Sequence, residues 1–143
     1  MAVTTGAKHV GFWTVKDPTP EFPRGEWVVT KKEGEDNPLC MCFAMSADGE
    51  TTELFTGHQD GSIKNWVGSQ EQYSVVKAHL RGVTQVVWTA GGLLSGGVDC
   101  KLKLWQRKKN QLEKLPYKIM DLKVFACNQR GDISNFVVPK SID

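Results

Sequence analysis

Apolar residues come in short bursts along this chain. Stretches rich in Val, Trp, Phe and Thr, such as Val10-Gly11-Phe12-Trp13-Thr14-Val15 and Val83-Thr84-Gln85-Val86-Val87-Trp88-Thr89, alternate with Gly, Asp, Asn and Pro. That is the pattern of short strands bounded by turns. No window holds a 3.6-residue apolar stripe long enough for a helix. The expectation is an all-β chain. Asp48-Gly49 and Gly91-Gly92 are expected to be tight hairpin turns, because glycine accepts positive φ at little cost.

The chain repeats itself. Phe55-Thr56-Gly57-His58-Gln59-Asp60-Gly61-Ser62-Ile63-Lys64-Asn65-Trp66 aligns with Leu94-Ser95-Gly96-Gly97-Val98-Asp99-Cys100-Lys101-Leu102-Lys103-Leu104-Trp105, the second copy starting 39 residues on (55 to 94). In both, a hydroxyl residue precedes Gly, Asp follows the hydroxyl by four and Trp follows Asp by six. A period near 40 residues is that of β-propeller blades. Weaker copies flank these two: His9-Val10-Gly11-Phe12-Trp13-Thr14-Val15 ends on Trp without a turn Asp, and Gly131-Asp132-Ile133-Ser134-Asn135-Phe136 has Phe136 in the Trp position and Arg130 in that of the Asp.

Four antiparallel strands per blade, a to d from the axis outward, give a detailed expectation. A half blade spans about 5–32, with c at His9–Val15 and d at Glu26–Lys31. A blade at about 38–77 has a at Leu39–Met45, b at Glu53–Thr56, c at Ser62–Val67 and d at Gln72–Lys77. The next, at about 83–115, has a at Val83–Thr89, b at Leu93–Ser95, c at Lys101–Gln106 and d at Gln111–Leu115. An incomplete blade at about 117–138 offers a at Lys118–Asp121, b at Lys123–Cys127 and c at Asp132–Val138. About three and a half blades make an incomplete ring, open-edged at both ends and completed by a longer chain or by self-association.

One constellation stands out. His79, Ser95, Asp99 and Trp105 have the types and spacing to form one hydrogen-bonded set, the imidazole donating to the carboxylate and the indole to the hydroxyl. Ser, His and Asp together also suggest catalysis, but a hydroxyl capped by Trp is no free nucleophile, so the set reads as structure. The preceding blade keeps Thr56, Asp60 and Trp66 and offers no His before strand a, only Glu33-Gly34-Glu35-Asp36-Asn37. Its set reads as incomplete, with His58 an exposed turn residue, and loss of Asp60 is expected to matter less than loss of Asp99.

Composition adds bounds. In 143 residues, 40% hydrophobic and 24% charged, the formal net charge is only +2, so nucleic-acid binding finds no support in net charge. No apolar run reaches the ~20 residues of a membrane span, and the first residues lack a secretion signal. Cys40, Cys42, Cys100 and Cys127 are expected to be reduced thiols, with Cys40 and Cys42 on one strand face as small core residues rather than metal ligands. Paired carboxylates, phosphate loops and metal-ligand spacings do not appear, so neither enzyme activity nor a cofactor is expected. The local concentration of positive charge is Arg107, Lys108 and Lys109 in the c–d connection, flanked by Lys101, Lys103 and Lys114. It fits an acidic partner or a charge-protected blade edge, and as an exposed loop it is expected to tolerate replacement without loss of stability. Trp27 and Tyr73 on outer strands are either contacts or inter-blade packing.

These motifs resemble the WD-repeat family. More narrowly, Thr5-Gly6-Ala7-Lys8-His9-Val10-Gly11-Phe12-Trp13, the connection with Pro18, Pro20 and Pro23, Phe43-Ala44-Met45-Ser46-Ala47-Asp48-Gly49-Glu50, Ala78-His79 and Leu94-Ser95-Gly96-Gly97-Val98-Asp99 resemble the propeller of the echinoderm microtubule-associated protein-like proteins. The resemblance implies a cytoplasmic, cytoskeletal protein whose propeller engages tubulin or microtubule-associated partners. Members carry a hydrophobic motif ahead of the blades and many an N-terminal coiled coil, patterns this sequence does not contain. The alternative is a WD-repeat adaptor of another assembly, such as a ubiquitin ligase or a trafficking complex. Both readings make the chain a non-catalytic scaffold for protein partners, with neither nucleic acid nor membrane expected.

Overall fold

A computed structural model describes residues 1–21, 23–109 and 111–115, and strand backbone at 123–127 and 133–137. The described residues are all-β and contain no helix, hence none able to cross a membrane. Among the described residues thirteen strands occur in chain order: β1 (Ala2–Gly6), β2 (His9–Val15), β3 (Trp27–Glu33), β4 (Pro38–Met45), β5 (Thr52–His58), β6 (Ile63–Val67), β7 (Gln70–Val75), β8 (Val83–Thr89), β9 (Gly92–Gly97), β10 (Leu102–Lys108), β11 (Gln111–Lys114), β12 (Lys123–Cys127) and β13 (Ile133–Val137). They form antiparallel meanders: β1-β2-β3, β4-β5-β6-β7 and β8-β9-β10-β11, with β12 paired to β13. The expected inner strand at 118–121 lies outside the described residues.

The order within each four-stranded sheet is that of a propeller blade, and the sheets are consistent with blades of an open, incomplete ring. The first sheet holds one strand more than expected. β1 pairs with β2 from Ala2↔Trp13 to Gly6↔His9 and stands in the place of strand b. Of Ala2-Val3-Thr4-Thr5-Gly6 only Val3 is buried, so no row of alternating apolar residues marks the segment as a strand.

Alternation decides what each strand buries. On β4, Cys40, Cys42 and Ala44 turn toward the third sheet and join Phe55, Val83, Val86, Leu93, Trp88 and Trp105 in one core. Phe55 and Trp88 stack there with ring centroids 5.7 Å apart. The opposite face of the second sheet presents Leu54 and Trp66 to Val3, Val10 and Phe12 of the first. Phe12 and Trp66 meet at 5.6 Å, tilted by 53°. Cys40 and Cys42 are thus small core residues, and burial pushes their thiols up to about 11 and about 12. Gly49 takes φ 74 in the first a–b turn and Gly92 φ 128 in the second.

Because sheet-to-sheet packing is the core, its central aromatics carry unequal weight. Phe55→Ala should cost about 3–5 kcal/mol by removing a fully buried ring. Phe43→Ala, on the exposed part of β4, should stay within about 1 kcal/mol. Urea unfolding followed by tryptophan fluorescence measures both.

Candidate functional site

In the third sheet the sequence-expected set closes. The Trp105 Nε1–H donates to Ser95 Oγ at 2.8 Å, joining β10 to β9. Ser95 Oγ lies 2.8 Å from His79 Nε2, and His79 Nδ1 lies 2.8 Å from Asp99 Oδ1. A carboxylate only accepts, so Nδ1 carries the proton and Nε2 accepts from the serine hydroxyl. Every member then has a hydrogen-bond partner. Asp99 Oδ2 also accepts the Leu80 amide at 3.1 Å, tying the entry of β8 to the β9–β10 turn. Burial pushes the Asp99 carboxyl up, but the His79 ring and the Leu80 and Lys101 amides outweigh it and hold it below its ordinary value. Ser95 is already bonded on both sides, which leaves no nucleophile to activate.

The second sheet departs from expectation. Trp66 Nε1–H donates to Thr56 Oγ1 at 2.9 Å, as in the third. His58, expected in an exposed turn, is only 4% accessible. Its Nε2 lies 2.9 Å from Thr56 Oγ1 and accepts that hydroxyl. The reason is strand length: β5 runs on to His58, and residues two apart on a strand share a face. Asp60 does not meet this imidazole. It caps its own turn by accepting the Ser62 amide at 2.8 Å, while the carboxylate nearest His58 is Asp36, with Oδ2 3.8 Å from Nδ1. That gap is too long for a hydrogen bond, and Nδ1 has no partner among the described residues. Burial lowers the His58 pKa below 6.5, keeping the ring neutral near pH 7.

The two sheets fill one space by different routes. His58 comes two residues after its hydroxyl, as Gly97 does; a Cβ on Gly97 would lie 2.4 Å from His79 Nδ1 and 2.6 Å from Cγ. Glycine thus clears the site into which His79 reaches from another segment, whereas His58 grows from the site itself. In the first sheet Trp13 Nε1–H donates to Thr4 Oγ1 at 3.0 Å, and Gly6, again two after the hydroxyl, lies under the His9 ring, whose Cε1 is 2.5 Å from where its Cβ would be. The signal was present in the sequence as Gly6, His58 and Gly97, each at hydroxyl plus two.

The basic connection also changes. Arg107 is not a free cation: it is 17% exposed and reaches from β10 across to the second sheet. Its Nη2 donates to the Met45 carbonyl at 2.8 Å and lies 3.3 Å from Glu53 Oε2, with Cζ 4.4 Å above the Trp88 ring. Glu53 also accepts from Asn65 Nδ2 at 3.1 Å. Lys103 likewise donates to the Ala78 carbonyl. Lys108 pairs with Glu113 at 3.1 Å in the open, a contact worth little, and Lys101, Lys109 and Lys114 are exposed. Tyr73 packs against the inter-sheet core, and burial, seconded by Glu53, raises its hydroxyl to about 12. Trp27 remains exposed. Among the described residues no cluster of His, Cys, Asp and Glu could hold a metal.

The indole, hydroxyl, imidazole and carboxylate bonded in sequence frame the stretch from β7 to β10. The WD domain, G-beta repeat (WD40) family model matches here, over residues 70–106. Residues 70–106 are a WD40 repeat. The repeat straddles two sheets, taking the outer strand β7 from the second and β8, β9 and β10 from the third. Such repeats are generally non-catalytic and mediate protein–protein interactions, which supports an interaction role for this chain.

Two substitutions separate the bonded sets. Asp99→Ala strands His79 and should lower stability by about 1–3 kcal/mol, whereas Asp60→Ala loses only turn contacts and should cost less; chemical denaturation compares them. Acid adds a second test. His58 has a folded pKa below its ordinary 6.5, so the unfolded chain takes up its proton first. Its neutral form is fully favoured above 6.5, and stability falls as pH drops below that value. His58→Gln should flatten the melting temperature over that window while leaving the steeper loss near pH 4 and below, where the depressed Asp99 protonates.

Proposed function

We propose that this chain is an interaction module of a cytoplasmic, microtubule-associated protein and binds tubulin. The WD40 repeat at residues 70–106 carries the interaction role. The narrower reading rests on the resemblance of the chain's motifs to the echinoderm microtubule-associated protein-like propellers. Exposed Lys101, Lys108, Lys109 and Lys114 supply a basic edge suited to acidic tubulin tails. Arg107 is excluded from that edge because it is spent between the sheets.

Co-sedimentation with microtubules, run beside an unbiased partner screen, tests the proposal against an adaptor role in another assembly. Binding should weaken as salt rises, since exposed charges are screened over about 8–10 Å at physiological ionic strength. Replacing Lys101, Lys108, Lys109 and Lys114 with Ser should weaken binding and leave the melting temperature within a degree or so. Arg107→Ser should do the reverse, costing about 1–3 kcal/mol of stability through an unpaired Glu53 and an uncovered Trp88. Affinity unmoved by the lysine changes would remove the basic edge, and failure to pellet with microtubules would remove the tubulin reading.

A further inference from the structure

Equivalent positions in the second and third sheets differ in one consistent way. The Gln59 amide donates to the Asn37 carbonyl at 2.8 Å, and the Val98 amide donates to the Gly82 carbonyl at 2.9 Å. Each donor directly precedes its turn aspartate, Asp60 or Asp99, so Gln59 and Val98 match. The acceptors align Asn37 with Gly82, and two residues before them stand Glu35 and Leu80. Glu35 and Gln59 are exposed, as polar residues in water should be. Leu80 and Val98 are apolar, yet 77% and 49% exposed. The fold therefore does not require apolar side chains at these positions. A following sheet does not cover them either, since Glu35 and Gln59 stay exposed with the third sheet packed against theirs.

Leu39, itself 46% exposed, joins the pair, because a Cβ on Gly82 would lie 3.1 Å from Leu39 Cδ1. Leu39, Leu80 and Val98 thus gather around Gly82. Single exposed apolar residues are ordinary, whereas a cluster marks a contact surface. The backbone beneath this cluster is fixed from both sides. The His79 amide donates to the Gly61 carbonyl at 2.9 Å, in a crossing so close that a Cβ on Gly61 would lie 2.1 Å from the His79 carbonyl oxygen. The Leu80 amide is held by Asp99 Oδ2, and the His79 ring is locked between Ser95 and Asp99. Leu80 is therefore presented by a backbone with little freedom left to lose on binding, which favours an apolar contact there. The rim is basic. Lys77, Arg81 and Lys101 are exposed and make no side-chain ion pair among the described residues, while the neighbouring turn contributes one exposed acid, Asp60.

We propose that Leu39, Leu80 and Val98 form a docking surface for a partner polypeptide that brings one large apolar side chain flanked by acidic residues. The cluster takes the apolar anchor, and Lys77, Arg81 and Lys101 take the flanking carboxylates. This inference goes beyond the tubulin reading and stands without it, since the surface meets the basic edge only at Lys101.

The probes are acetyl-Asp-Glu-Phe-Asp-Glu-amide, its counterpart with Ser in place of Phe, and acetyl-Lys-Lys-Phe-Lys-Lys-amide, each titrated into the chain and followed by methyl NMR. The acidic Phe peptide should shift the Leu39, Leu80 and Val98 methyl resonances and bind at least about tenfold tighter than either control. Leu80→Glu and Val98→Gln install the residues that the second sheet carries at the matching positions. Each should leave melting unchanged and weaken the Phe peptide about tenfold. Arg81→Glu should weaken it as well. Changing Lys108, Lys109 and Lys114 together to Ser should leave it unaltered, so that this surface and the basic edge fail separately. The proposal is overturned by methyls that stay unshifted at millimolar peptide, by a Ser peptide that binds as well as the Phe peptide, by preference for the lysine-flanked peptide, or by affinity indifferent to Leu80→Glu and Val98→Gln.

Discussion

An indole N–H held by a hydroxyl oxygen on the neighbouring strand is the contact on which this architecture turns. It occurs in all three stacked sheets, at 3.0, 2.9 and 2.8 Å. An indole brings a large apolar surface and one donor that is costly to bury unpaired. Pairing it with Thr or Ser one strand over solves that problem and fixes the register of two strands at once. The hydroxyl has a proton left to give, and in two sheets an imidazole accepts it. On the far side of that imidazole the two sheets differ: a carboxylate stands at 2.8 Å in the third, and in the second a gap of 3.8 Å separates the ring from Asp36. The common element is therefore the Trp–hydroxyl bond, while the acid is an elaboration of it.

The rank of these contacts explains which parts of the fold were readable in the sequence. Thr56, Trp66, Ser95 and Trp105 recur at fixed spacing because strand geometry ties a hydroxyl to an indole across one hairpin. The period of 39 residues is that of a whole four-stranded blade, and the alternation in β4 and β8 comes from the pleat of a strand with one face turned to a core. The imidazole is less constrained, since any segment that brings a ring over the position two beyond the hydroxyl will serve. His79 arrives from a separate segment and needs Gly97 beneath it, whereas His58 needs only its own strand to run two residues past Thr56. A reading keyed to His before strand a finds the first and misses the second. The first hairpin hides for a related reason. Its hydroxyl is Thr4, nine residues before Trp13 rather than ten, so it slips out of the register of the other two.

Arg107 shows a different limit. Beside Lys108 and Lys109 in the sequence it looks like one member of a solvated basic run. Its neighbours in space, Glu53, Met45 and Trp88, stand 54, 62 and 19 residues away along the chain (107 less 53, 45 and 88). Alternation separates the sides: Arg107 turns into the inter-sheet seam while Lys108 turns to solvent. A guanidinium suits that seam because it stacks on an aromatic face and binds a carboxylate together. Nothing in a run of three cations reveals which one has such partners until the opposing sheet is in place.

The two interfaces of the second sheet make the final contrast. Toward the third sheet, inner strands, core residues and an arginine strut all meet, and the seam is closed from Cys40 to Glu53. Toward the first, the closed part ends where β1 ends its sheet, and Phe43 and Met45 continue the apolar row into solvent. Since sheets of this kind hold together through face packing between neighbours, the strength of each seam follows from what it covers: Leu54 and Trp66 under Val3, Val10 and Phe12 carry the contact with the first sheet, while exposed Phe43 and Met45 add little to it.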